Sequence, residues 1–181
     1  MLVSNFELLV KPIAPASTVP VGGQQVARKV VQAYFLTISN LNPNGAVSLD
    51  VDFIAFTPAL TNEVITFFDV AGTDDPSGLV SVSNQRKRRT VTIPADDTGL
   101  LLLQPDLKQP NVLNNADLEV RGYVEISVSQ LSPTPNARLL VTPQSRGTFI
   151  PENAPGNVAD LDFDQIAYNL PLAEGRALLT L

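Results

Sequence analysis

The 181-residue chain has no His, no Cys, no Trp and one Met. Without Cys there is no disulfide and no thiolate, and without His there is no imidazole ligand, so zinc fingers, zincins, haem sites and cysteine nucleophiles are excluded. The missing thiols leave the redox compartment open. Charged residues make up only 17%, against ~25% in an average domain, which predicts a surface that is unusually neutral or partly covered by other chains. Aromatic residues are also scarce, at 6%, and this weakens a sugar-cleft reading, because stacked rings usually grip sugars.

Apolar runs such as Leu100-Leu101-Leu102-Leu103 fall far short of the ~18 residues of a membrane span. The start, Met1 to Glu7, lacks the basic region, long apolar stretch and small-residue cleavage site of a signal peptide. No Asn-x-Ser/Thr sequon occurs. The expectation is no membrane span and, if this is the whole gene product, a cytoplasmic location. A net charge of −6 and a pI near 4.5 argue against nucleic acid as a partner.

What is abundant is proline: 15 residues scattered at short intervals leave few windows for a stable helix. Leu118, Val120, Gly122, Val124, Ile126 and Val128 alternate with polar neighbours, the period of a strand with one buried face. Gly122 in an inward slot predicts a bulge or a large neighbour filling its space. Val47, Leu49, Val51, Phe53 and Ala55 alternate likewise. The Asn42-Pro43-Asn44-Gly45 segment predicts that 28–40 and 46–57 pair as a tight hairpin. Further strands are expected at 3–10, 63–69, 79–83, 88–93, 99–104, 137–142 and 145–150. Asn111 to Ala116 reads as a loop, and Asp160 to Asn169 as one short turn or helix.

Turn signals every ~8–12 residues predict an all-β fold, a single antiparallel β-sandwich of ~7–9 strands, immunoglobulin-like or jelly-roll-like. Residues 1–150 would form it. Residues 151–181 would be a linker plus an apolar-ended arm packing on the same domain or a neighbouring subunit. In texture, Phe35 to Asn42 leading into Val47 to Phe53 resembles the immunoglobulin-like sandwiches of bacterial surface and assembly proteins, without the Cys and Trp core of true immunoglobulin domains.

Few residues offer chemistry. Asp97-Thr98-Gly99 resembles the triplet of aspartic proteases, which implies a carboxylate sharing a proton with a twin. The competing reading is a polar turn between two strands. Asp50 and Asp52 share a strand face with ~7 Å between their Cα atoms, which reads as the wet side of a half-exposed sheet. Asp69, Asp74 and Asp75 lie in one Gly-containing loop whose oxygens suit calcium, the single cofactor left open.

Arg86-Lys87-Arg88-Arg89 holds a third of all Lys and Arg. Its plain reading is a guarded sheet edge. Its sharper reading is a docking surface for the acidic arm carrying Asp160, Asp162 and Asp164, within the subunit or across an interface. Together these features predict a non-enzymatic structural or interaction module whose partner is itself or another protein. A carbohydrate- or calcium-binding domain is the alternative, and a hydrolase acting through Asp97 a remote third.

Overall fold

The computed structural model describes residues 1–21, 27–76, 78–151 and 164–181. The strands are β1 (Leu2–Ile13), β2 (Arg28–Asn40), β3 (Val47–Ile54), β4 (Val64–Val70), β5 (Thr73–Asp75), β6 (Val80–Ser81), β7 (Arg86–Ile93), β8 (Thr98–Pro105), β9 (Leu118–Val128), β10 (Arg138–Pro151), β11 (Asp164–Asn169) and β12 (Leu178–Thr180). One helix, α1 (Pro110–Asn115), precedes β9. The protein is all-β and antiparallel. Its 12 strands join one continuous sheet that curls into a half-barrel, where two separate sheets were expected.

The curl originates at β2. Along one edge, β2 pairs with β10 over its whole length, Arg28↔Pro151 to Asn40↔Leu139. Along the other it pairs with β1 over residues 28–32 and with β8 over 34–39, so the sheet forks near Ala33. One branch runs β1-β9-β3-β7-β6 and the other β8-β4-β5. Both branches turn apolar residues into one core cluster, with Val47, Leu49, Val51 and Phe53 from the first and Phe68, Leu101 and Leu103 from the second. At its centre Phe6, Tyr34 and Phe53 form a triangle with centroids 5.9–6.3 Å apart, within the range for edge-on aromatic contacts.

Gly122 confirms the large-neighbour reading. It lies opposite Phe6, and a Cβ there would stand 2.7 Å from the Phe6 ring and against the Ile54 carbonyl oxygen. The 28–40/46–57 hairpin does not form, because β3 pairs with β7 and β9 while both edges of β2 are taken. Neither Asn44 nor Gly45 has the positive φ that the hairpin turn requires. Gly45 serves close approach instead, since a Cβ would meet the Thr134 methyl at 2.6 Å.

Three further expectations change. Residues 111–116 lie largely in α1, started by Pro110 at its first turn. The strands expected at 137–142 and 145–150 are the single strand β10. Residues 164–169 form β11, not a helix, while 160–163 lie outside the described residues, as does the expected linker after Pro151. The apolar C-terminus packs on its own chain: β12 pairs with β10 and Leu179 is buried.

Candidate functional site

Because β7 is a strand, its basic run divides between two faces. Arg86 and Arg88 point outward, over the face shared by β3 and β9. Lys87 and Arg89 point inward, in line with Val91 and Ile93.

Outward, in-register pairing sets Asp52 opposite both Arg88 and Glu125. Arg88 donates to both Asp52 oxygens, each at 2.8 Å, and to Asp50 at 2.9 Å. Arg86 bridges Asp52 (2.8 Å) and Glu125 (2.9 Å). Thr90 adds a 2.7 Å bond to Asp50. The expectation of a wet carboxylate pair therefore fails at Asp52, whose side chain is only 4% exposed beneath two guanidinium groups. Burial pushes its pKa up, but the Arg88 hydrogen bonds and the Arg88 and Arg86 charges outweigh that and hold it below the usual carboxylate range. The Arg88 guanidinium is correspondingly held in its charged form. The same outer face carries a second ionic line on β1 and β9, Lys11–Glu119–Arg121–Glu7.

Inward, Lys87 donates to the Thr61 carbonyl (2.6 Å) and to Asn62 Oδ1 (3.4 Å), and its burial lowers its pKa. Arg89, 3% exposed, reaches Asp75 Oδ2 at 2.7 Å through Nη2. Among the described residues its Nε and Nη1 are buried without a hydrogen-bond partner.

Of the acidic arm's aspartates, only Asp164 is among the described residues. Asp164 sits at the start of β11 opposite Phe149 of β10, at the other side of the sheet from β7. Asp160 and Asp162 lie outside the described residues. The structure thus joins Arg86, Arg88 and Arg89 to carboxylates of β3, β9 and β5. The sequence shows Asp50 and Asp52 only as a pair on one strand face, and strand alternation in both segments is the signal that matches them to Arg86 and Arg88.

Of the calcium candidates, Asp69 and Asp74 face each other and Asp75 turns away. Ala71 and Gly72, both at positive φ, make a two-residue turn that sets Asp69 directly opposite Asp74. Asp75, the next residue, turns to Arg89. Among the described residues no group of three acids is gathered around one point. Among the described residues Asp69 Oδ1 is buried with no hydrogen-bond partner. Asp97 occupies the turn between β7 and β8, where its Oδ1 accepts the Thr98 amide at 2.7 Å and Thr98 Oγ1 donates to Ser39.

The structure thus defines a curled, forked antiparallel sheet with one ion-paired outer face. No protein-family model matches the chain, and no curated protein matches it either. Among the described residues no helix is long and apolar enough to cross a membrane.

Proposed function

We propose that the protein is a non-enzymatic structural module that associates with itself through β11. The observation that carries this reading is the state of that strand. All six of its residues are exposed, and among the described residues it is paired on one edge only, to β10. It presents Ile166 and Tyr168 to solvent, at 40% and 43% exposure, and it contains no Pro, Lys or Arg to guard the open edge. Two copies related by a two-fold axis would pair β11 with β11 in antiparallel sense and complete both ladders at once. Two other features support a surface role. Asp97 sits in a turn, and Arg86 and Arg88 are neutralised by the protein's own carboxylates, which leaves little for a nucleic-acid backbone. The two branches facing one core further support the reading of the fold as a variant sandwich.

Light scattering or native mass spectrometry tests the proposal. The wild type is expected to be an even-numbered oligomer, and Ile166→Lys is expected to run as a monomer with its far-ultraviolet spectrum unchanged. A monomeric wild type at about 100 μM would overturn it, since stable homodimers hold together well below that concentration.

A second reading rests on Asp69. A carboxylate oxygen buried without a partner among the described residues, with a second carboxylate across the strand pair, suits a hard cation completed by water. If so, calcium raises the Tm of the wild type and leaves Asp69→Asn unmoved. Equal responses would remove this reading.

A further inference from the structure

The inward end of β7 poses an electrostatic problem that the described residues do not solve. Lys87 and Arg89 share one face of the strand, ~7 Å apart at their Cα atoms, and are 8% and 3% exposed. Buried cations are ordinarily paired. Among the described residues, Lys87 has only neutral oxygens as hydrogen-bond partners, the Thr61 carbonyl and the Asn62 amide. Arg89 has one carboxylate, Asp75, engaged through Nη2 alone and itself 53% exposed at the side chain. Two of the three guanidinium nitrogens are buried with nothing to donate to among the described residues.

Space lies beside both groups. A cavity of about 380 Å³ is lined by Arg89, Asp75, Gly78 and Val80, and another of about 420 Å³ by Lys87, Asn62 and Ser81, the two meeting at Val82. Gly78, at φ +93°, keeps the backbone bare above the guanidinium, since a Cβ would stand 2.6 Å from Nη1. The other cation near this cavity, Arg88, is committed to Asp50 and Asp52 on the opposite face.

We propose that Arg89, assisted by Lys87, binds a small oxyanion of the phosphate or carboxylate type at this site. An oxyanion supplies several acceptors and a negative charge at one point, which the free Nε–H and Nη1–H groups and the unneutralised ammonium lack. The loss of Lys87 basicity on burial points the same way, because a neighbouring anion would restore it. The site is independent of β11 and of the proposed self-association.

Separate titrations with inorganic phosphate and with acetate, at ionic strength held constant with chloride, distinguish the two anion sources. They are read by the Arg89 Nε–H and the Gly78 and Thr90 amide resonances. One of the two anions is expected to give a saturable shift of all three. Affinity is expected to fall about tenfold in Lys87→Gln, which corresponds to ~1.4 kcal/mol, and the shift to vanish in Arg89→Gln. The same anion should raise the wild-type Tm, whereas a general salting effect would raise both proteins equally. No saturable shift with either anion up to about 50 mM, far above a millimolar Kd, would overturn the site, as would undiminished binding by Arg89→Gln. The wild-type titration decides the matter even if that variant fails to fold.

Discussion

Asp52 shows how one side chain can concentrate electrostatic dependence in a charge-poor protein. Its folded pKa lies below its unfolded value, so its contribution to stability is complete above pH ~4 and is lost as pH falls through the lower folded value. Acid unfolding of the wild type is therefore expected to steepen below pH 4. In Asp52→Asn that limb should flatten, because the variant has no proton to gain there. At pH 7 the same substitution leaves Arg86 and Arg88 short of a partner, at a cost of about 1–3 kcal/mol, discounted because both guanidinium groups are a third exposed. Urea unfolding at pH 7 and pH 3 measures both effects, and an unchanged pH slope would refute the assignment. Gly122 is the steric counterpart. Gly122→Ala forces a methyl against the Phe6 ring and the Ile54 carbonyl, and a loss of about 1–3 kcal/mol in urea unfolding is expected.

Among the elements, the link between β2 and β3 depends on a buried polar residue. Asn40 is fully buried, and its Nδ2 donates towards the Gly45, Ile93 and Pro94 carbonyls while its Oδ1 accepts the Asn42 amide. These bonds fasten the end of β2 to the turn after β7, across the space where a hairpin would have closed. Asn40→Ala strands several backbone groups and should cost about 2–4 kcal/mol by chemical denaturation. Asn40→Asp should not restore it, for lack of the Nδ2 donor.

The same elements show what pattern alone could reveal. The alternation of β9 was readable because its two faces differ in polarity at every step. The Asn44-Gly45 signal misled because that glycine is needed for room near Thr134 rather than for φ. Pro143 split β10 on paper. In the fold its missing N–H falls on the edge where residues 141–143 lie between the stretches paired to β12 and β11, so no ladder bond is lost there. β11 escaped because six exposed residues have no buried face to set a period. The ion pairs of β3 with β7 depend on a register between segments some 35 residues apart, which no local pattern encodes.

At the scale of the whole molecule, stability should follow the fork. β2 has partners along both edges for nearly its full length, so its amides are expected to exchange slowest with deuterium, while those of β11 exchange fastest among the strands. Uniform protection across the sheet would contradict the forked pairing. β10 closes one side of β2, and a chain shortened to end at Pro151 keeps that spine while losing Leu179 from the core. It is expected to unfold cooperatively at reduced Tm. A chain ending before Arg138 should show no cooperative transition.

That spine also orders events during synthesis. The strand that occupies residues 28–40 must wait for 98–103 to fill half of one edge and for 139–151 to fill the other. When β2 leaves the ribosome, β1 is already made and can cover residues 28–32, but residues 34–39 of that edge stay open until 98–103 follow, and the whole of the other edge until 139–151 follow. During synthesis β2 is thus the segment most in need of shielding until β10 arrives.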